Sequence, residues 1–286
     1  MHVRLLLVFA AAVTTHGCHR QESRTDANFP VGSLSLHLIC EGSGSPPVVL
    51  DSGLGNDAAA WSRVQPEVAR FARVCSYDRA GLGASSPAPR PHSNTQMARE
   101  LRSLLRAAKV APPYVLVGHS MGGVNVQLLA KAHPKDVAGM VLVDTMTSDQ
   151  PARFWALIPQ SHLDEFRTGL RKLPEGIDFD TLAKGLTESK ASPGWLHDKP
   201  LVVLTRGKEE GFPGASDQLK AQMLSAWQSA QAELPLFSSN RAHIVAKQSG
   251  HFIQHDNPAL VVAAVSEVVM SVRSRRAVKQ AAIHED

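Results

Sequence analysis

A serine flanked by glycines stands between an apolar run and a helical pattern. The motif is GHSMG at positions 118–122, and it links the run YVLV to a helix beginning near Gly123. Small residues on both sides of a serine permit a sharp strand-to-helix turn, which lifts the hydroxyl out of a sheet and aims the helix N-terminus at it. In this context the motif predicts that Ser120 is a nucleophile. The side chain of His119 cannot readily reach the adjacent serine, so we expect it to line the pocket or support the turn.

The segments that must position this serine alternate between apolar runs and helical patterns. Short β-rich runs occur at residues 34–40, 48–51, 74–77, 114–117, 140–143, 201–205 and 243–247. Helical patterns occur at residues 61–71, 95–108, 124–132, 216–233 and 258–273. Strand and helix in alternation predict a largely parallel sheet that is covered on both faces, in the α/β class.

The alternation pauses at residues 147–199. Two or three helical patterns, among them residues 151–157 and 178–189, occur there with Pro, Gly and Trp between them. This composition predicts a small helical cap inserted into the sheet topology. Trp155 and Trp195 lie in this segment and are expected either to line a pocket or to form the core of the cap.

Five segments, in this order, resemble the α/β-hydrolase superfamily. They are DSGLG at 51–55, YDRAGLGAS at 77–85, GHSMGG at 118–123, VLVD at 141–144 and SGHFIQHDNP at 249–258. The resemblance extends over nearly all of the chain after the first 25 residues. It implies an α/β-hydrolase fold, with a mostly parallel eight-stranded sheet, helices on both faces and a small cap.

The resemblance also implies the partners of the serine, in the chain order serine, acid, histidine. A serine hydroxyl needs a base to take its proton and a carboxylate to orient that base. His251 follows the last strand, where the family places its base. For the acid we favour Asp144, which ends the strand after the nucleophile helix, although an Asp there can also simply cap the following turn. The alternatives are Glu209 and Glu210 in TRGKEEGFPG, the loop after the next strand.

An oxyanion hole is implied by the same resemblance. Negative charge develops on the carbonyl oxygen of an ester during hydrolysis, and two backbone N–H groups can stabilise it. The resemblance assigns these groups to Met121, directly after the nucleophile, and to Leu54 in DSGLG. Ser52 stands where the family usually has a histidine. That departure changes contacts within the loop and leaves the backbone donor in place.

Two further pairs are implied to be structural. Asp78 and Arg79 in YDRAGLG are expected to tie the loop below the site and to take no part in the reaction. Cys40 and Cys75 fall on the second and fourth strands, which lie side by side in this fold. That placement favours a disulfide between them if the Cβ directions allow it.

The first residues indicate export. His2 and Arg4 precede an apolar run at residues 5–13, which is too short to span a membrane and is typical of a signal peptide. We expect residues 1–25 to lie outside the fold, residues 26–286 to form one hydrolase domain, and the mature protein to have no transmembrane span. The predicted destination is the bacterial periplasm or the extracellular space. Cys18 is a possible site for a lipid anchor, although Thr15 stands where a lipobox usually has Leu.

The composition is that of an ordinary globular protein. Of the 286 residues, 43% are hydrophobic and 20% charged, and the net charge of +4 is scattered rather than collected into a stripe. We therefore expect no nucleic-acid partner. No Cys or His cluster has metal-ligand spacing, and no phosphate or dinucleotide loop is present, so the sequence predicts chemistry without a cofactor or metal.

These observations predict a serine hydrolase of the carboxylesterase type (EC 3.1.1), acting on small or medium ester substrates through an acyl-enzyme. Amidase, aminopeptidase and lactonase activities use the same constellation and remain alternatives. A ligand-binding protein on the same scaffold is the competing class, because fold alone does not determine function. A serine at position 120 argues against epoxide hydrolase and haloalkane dehalogenase chemistry, since those relatives use an aspartate there.

Overall fold

One eight-stranded sheet organises the protein, whose computed structural model describes residues 24–209 and 211–284. Its strands are β1 (Thr25–Val31), β2 (Leu34–Glu41), β3 (Val48–Asp51), β4 (Val74–Tyr77), β5 (Tyr114–His119), β6 (Val137–Val143), β7 (Leu201–Arg206) and β8 (Arg241–Ala246). Their order across the sheet is β1-β2-β4-β3-β5-β6-β7-β8. The pairs β1/β2 and β2/β4 are antiparallel and every other neighbouring pair is parallel. The predicted fold class and the eight-stranded, mostly parallel sheet are confirmed.

Helices cover both faces of this sheet. They are α1 (Gln65–Ala69), α2 (Asn94–Ala107), α3 (Met121–Ala132), α4 (Gln150–Arg153), α5 (Gln160–Lys172), α6 (Phe179–Ser189), α7 (Asp217–Gln231), α8 (Ile253–Asp256) and α9 (Pro258–Ser274). Alternate residues of β5 point to opposite faces. Leu116 belongs to the core cluster that includes residues of α2, α3 and the segment between β6 and β7, and Val117 belongs to the cluster that includes residues of α1 and α9. None of the helices in the described part of the chain is long and apolar enough to cross a membrane.

The edge strand β1 was not predicted from the sequence. It pairs with β2 along its whole length and begins at Thr25, the last residue of the segment expected to lie outside the fold. Most of its residues are exposed because it has a single neighbouring strand and little covering, so its sequence lacks the apolar alternation of a strand. Residues 1–23, which include Cys18 and most of the predicted signal peptide, lie outside the described residues.

The segment between β6 and β7 holds three helices, of which α5 was not individually predicted. Helix α6 fastens this segment to the body of the protein, because Leu182 and Leu186 are fully buried in the core beneath it. Lys131 of α3 donates hydrogen bonds from Nζ to the backbone carbonyls of Glu188 and Lys190, each at 2.7 Å. The short helix α4 follows β6 and contacts α7.

A disulfide joins β2 to β4, as the resemblance implied. Cys40 and Cys75 are directly opposite each other in the antiparallel register, with their Cα atoms 4.1 Å apart. Both residues are completely buried.

Removing this disulfide is expected to lower the free energy of unfolding by about 3–4 kcal/mol, because the bond closes a long loop in the unfolded chain. The two cysteines are separated by 35 positions in the sequence. Urea denaturation of the parent and of the Cys40→Ala/Cys75→Ala variant, followed by circular dichroism, measures the difference. Dithiothreitol should shift the midpoint of the parent alone. Equal urea midpoints for the parent and the variant, both measured without reductant, would contradict the prediction.

Candidate active site

Ser120 occupies the sharp turn between β5 and α3. Its backbone angles are φ 51° and ψ −120°, a conformation that non-glycine residues rarely adopt and that folded proteins retain mainly at functional sites. The flanking glycines make the turn possible. A Cβ on Gly118 would lie 2.5 Å from the Cα of Gly123, and a Cβ on Gly122 would lie 2.3 Å from the carbonyl oxygen of Asp51. The backbone path of this turn therefore requires glycine at positions 118 and 122, because a side chain would clash with neighbouring backbone atoms.

The structure brings Ser120, His251 and Asp144 together from three different loops. Ser120 Oγ lies 3.0 Å from Nε2 of His251, and Nδ1 of the same ring lies 2.6 Å from Oδ2 of Asp144. Ser120 is 7% exposed and Asp144 is fully buried. This is the linear arrangement in which a carboxylate orients an imidazole whose second nitrogen faces a hydroxyl.

The buried carboxylate of Asp144 is held by two donors besides the histidine. Its Oδ1 accepts hydrogen bonds from the backbone N–H of Arg206, at 2.9 Å, and from Nε1 of Trp227, at 2.7 Å. These bonds fix the carboxylate plane and leave Oδ2 to face His251. Asp144 follows β6 directly with φ 42°, a left-handed conformation that Asp tolerates better than most residues.

The alternative acid Glu209 does not reach His251. Its carboxylate forms an ion pair with the Arg206 guanidinium and accepts a hydrogen bond from the backbone N–H of Gly211 at 3.0 Å. The guanidinium in turn lies 3.6 Å from Oδ2 of Asp144. The other alternative, Glu210, lies outside the described residues.

His119 is buried between the turn that carries Ser120 and the loop that carries His251. Its Nε2 lies 2.9 Å from the backbone carbonyl oxygen of His251, and because a carbonyl only accepts, Nε2 is the protonated nitrogen. The two rings are 4.7 Å apart. Burial, with a further contribution from His251, holds the pKa of His119 well below its usual range, so this ring stays neutral. His119 thus supports the loop that carries the second histidine.

The DSGLG loop passes directly beside the serine. A Cβ on Gly53 would lie 3.3 Å from the Cβ of Ser120. Within the described residues, the backbone N–H groups of Leu54 and Met121 have no hydrogen-bond acceptor, and Leu54 lines the adjoining pocket. Ser52 donates from Oγ to the backbone carbonyl of Asp57 at 2.8 Å, a bond that stays within the loop.

A pocket of about 520 Å³ opens onto Ser120 and His251. Its aromatic lining comes from the cap, from helix α7 and from neighbouring loops: Phe154, Trp155, Phe166, Phe212, Trp227 and Phe252. The volume falls within the range of small-molecule sites. Trp155 lines this pocket, whereas Trp195 packs against Phe237 at 5.8 Å and is not part of the lining.

The family of the chain follows from its similarity to known proteins. A family model described as alpha/beta hydrolase fold matches residues 46–196. The uncharacterized protein YqjL of Bacillus subtilis strain 168 is 31% identical over 228 residues, which are 80% of this chain and 85% of YqjL. The chain belongs to the α/β-hydrolase family.

Solved structures agree on the fold of this hydrolase. A thermophilic esterase from Thermogutta terrifontis superposes with a TM-score of 0.58 and 20% identity, covering 87% of the hydrolase and 99% of the esterase. Est816, described as an N-acyl homoserine lactone degrading enzyme, has a TM-score of 0.60 and 16% identity, covering 82% and 97% of the two chains. At such identities the likeness shows a common fold.

Three residues of the hydrolase's site carried no signal in the sequence. Trp227 lies within helix α7, and its indole reaches the Asp144 carboxylate only because α7 packs beside β7. Arg206 is the last of the six residues of β7, and its backbone N–H is not distinguished in the sequence from those of the other five. Glu175, on the cap, contacts the DSGLG loop. Across residues 24–209 and 211–284, no group of three or more His, Cys, Asp or Glu side chains could hold a metal ion.

Proposed function

We propose that this hydrolase cleaves carboxylic esters through an acyl-enzyme on Ser120. One observation carries the proposal: the His251 ring lies within hydrogen-bond reach of the Ser120 hydroxyl on one side and of the buried Asp144 carboxylate on the other. The epoxide hydrolase and haloalkane dehalogenase alternatives need a carboxylate nucleophile, and position 120 offers a hydroxyl.

Acylation begins when Ser120 Oγ attacks the ester carbonyl and Nε2 of His251 takes its proton. The backbone N–H groups of Leu54 and Met121 stabilise the negative charge on the tetrahedral intermediate. Asp144 keeps the proton of His251 on Nδ1 and stabilises the imidazolium that forms. When the intermediate collapses, His251 gives the proton to the leaving alcohol. Water then repeats the sequence against the acyl-enzyme and releases the acid.

The lining of the pocket favours substrates with neutral, apolar acyl groups of medium length. Its walls are mostly aromatic and aliphatic, and the positive charge of Arg206 is already paired with Glu209. The acidic residue Glu165 is also part of the lining. Among the described lining residues the cationic side chain is Arg206, which is already paired, so an anionic acyl chain would meet uncompensated negative charge.

With p-nitrophenyl esters of increasing acyl length, kcat/KM is expected to rise about fourfold per added methylene, since each buried CH₂ contributes about 0.8 kcal/mol, until the pocket is full. A carboxylate at the far end of the acyl chain should abolish this gain. Acid quenching during turnover, followed by peptide mass spectrometry, should find the acyl group on Ser120. Amide and lactone substrates of matched size form the comparison series. An acyl group on another residue, or no turnover of any of the three classes, would overturn the proposal.

We also propose that the protein is exported to the periplasm or the extracellular space. The disulfide between Cys40 and Cys75 supports this, because such bonds persist mainly in oxidising compartments. Lipidation of Cys18 remains a prediction from the sequence. Mass spectrometry of protein purified from an envelope fraction would locate the mature N-terminus and any attached lipid.

A further inference from the structure

The backbone of the DSGLG loop is held by the buried guanidinium of Arg79. Arg79 is 2% exposed and donates to the backbone carbonyl of Gly53, at 2.6 Å, and to that of Ser52, at 2.7 Å. It also forms an ion pair with Asp51 at 2.7 Å. Burial opposes the charge, but the carboxylates of Glu175 and Asp51 outweigh burial and raise the pKa of Arg79, so the guanidinium stays ionised.

Glu175 completes this arrangement from the cap. It is fully buried between α5 and α6, and its Oε1 lies 2.6 Å from Nη2 of Arg79. Its Oε2 accepts a hydrogen bond from the backbone N–H of Gly55 at 2.7 Å. The backbone carbonyl of Glu175 lies 2.9 Å from Nδ1 of the buried His92, and a Cβ on Gly81 would lie 2.1 Å from the neighbouring Pro174 carbonyl oxygen. The backbone of Glu175 is therefore fixed by contacts with His92 and with the chain around Gly81.

These contacts bear on one peptide group. In a trans peptide the C=O and the following N–H point in opposite directions. The carbonyl of Gly53 points at Arg79, so the N–H of Leu54 points away from Arg79. The same peptide lies next to the serine, because a Cβ on Gly53 would be 3.3 Å from the Cβ of Ser120. A cation on the carbonyl also polarises the peptide and strengthens its N–H as a donor.

We propose that Arg79 and Glu175 are positioning residues that orient the Gly53–Leu54 peptide as an oxyanion donor. The cap then has two roles, because it forms part of the pocket wall and, through Glu175, also assists the chemical step. This inference rests on the proposed ester hydrolysis. Neither side chain touches the substrate. Their effect acts through the N–H of Leu54 and should appear where negative charge develops on the carbonyl oxygen.

Glu175→Gln tests this assignment, since the amide keeps the shape of the side chain and removes its charge. Glu267→Gln is a closely matched control. Glu267 is 5% exposed, pairs with Arg276 and accepts a backbone N–H bond from Lys279, yet it lies on α9, remote from the pocket. Glu175→Asp, which keeps the charge but shortens the side chain, provides a second variant should the glutamine variant fold poorly.

Each variant is assayed for kcat and KM with the preferred nitrophenyl ester and for inhibition by a trifluoromethyl ketone bearing the same acyl chain. In that adduct Ser120 Oγ bonds to the ketone carbon, the proton passes to His251, and the former carbonyl oxygen becomes an oxyanion. For Glu175→Gln, kcat is expected to fall about 10- to 100-fold with KM unchanged, because part of the benefit of one oxyanion donor is lost. Binding of the ketone should weaken by the same factor. Glu267→Gln should match the parent.

The two proposals fail in different ways. Turnover that survives Ser120→Ala would overturn the serine hydrolase assignment and this inference with it. Turnover that depends on Ser120 but is equal in folded Glu175→Gln, Glu175→Asp and parent would overturn only the positioning role. A loss in kcat without weaker ketone binding would also overturn it, because a merely structural residue does not distinguish the oxyanion from the ground state.

Discussion

Replacing Ser120 with alanine is expected to lower kcat for ester hydrolysis by a factor on the order of 10⁶, to the level left by binding and the oxyanion donors alone. The reason is that the chemical step needs an oxygen at this point, 3.0 Å from the His251 base. KM should change little, since the methyl group of alanine leaves the pocket walls intact. The measurement is steady-state release of p-nitrophenol from the preferred ester, with freshly purified variant to exclude traces of parent enzyme.

The same experiment includes His251→Ala and the double variant. If the two side chains act as one unit, either single replacement should cost about as much as both together. Ser249→Ala serves as the control, because Ser249 is a buried serine two positions from His251 whose backbone hydrogen bonds go to Ala246, Gly207 and Lys208. Activity of Ser120→Ala within tenfold of the parent would exclude the acyl-enzyme mechanism.

Asp144→Asn should lower kcat by about 10⁴, the loss expected when the histidine is held in the wrong tautomer. The direction follows from the hydrogen bonds. Trp227 Nε1 and the backbone N–H of Arg206 both donate to Oδ1. An asparagine must present its carbonyl oxygen to these donors and its amide NH₂ to His251. Nδ1 then accepts a bond, the proton moves to Nε2, and the ring can no longer take a proton from Ser120.

Glu209→Gln decides between the two described acid candidates. Because Glu209 pairs with Arg206 and does not contact His251, its replacement is expected to reduce kcat by less than about tenfold, through the indirect loosening of Arg206. Asp136→Asn removes a partly buried aspartate that pairs with Arg102 at 2.8 Å, far from the pocket, and should match the parent. A larger loss in Glu209→Gln than in Asp144→Asn would assign the acid to the loop after β7.

Local patterns were sufficient for the central elements of the sheet. Strands β3 and β4 occupy the same residues in the structure as in the sequence-based prediction, 48–51 and 74–77. Both are short apolar runs bounded by turn residues, and both are buried on their two faces, so burial and local propensity favour the same assignment. The turn at Ser120 was equally readable, because the glycines that permit it are its neighbours in the chain.

Elements whose stability comes from distant partners were harder to predict. The edge strand β1 has mostly exposed side chains and forms through backbone pairing with β2, which leaves no apolar period in its sequence. Helix α3 begins at Met121, two to three residues before the predicted start near residues 123–124, because the turn at Ser120 places its glycines inside the first turn of the helix.

The sequence by itself determined the position of the sharp serine turn, the α/β class and the expectation that a histidine near the chain end would approach the serine. It favoured Asp144 as the acid but kept Glu209 and Glu210 as alternatives, because the segments that follow adjacent parallel strands reach the same edge of the sheet. Only the tertiary structure decided which carboxylate faces His251, since the donors that orient Asp144 come from β7 and α7, 62 and 83 positions away. The contact of Glu175 with the DSGLG loop spans 120 positions. Such contacts depend on how the elements pack, and local sequence periodicity carries no information about them.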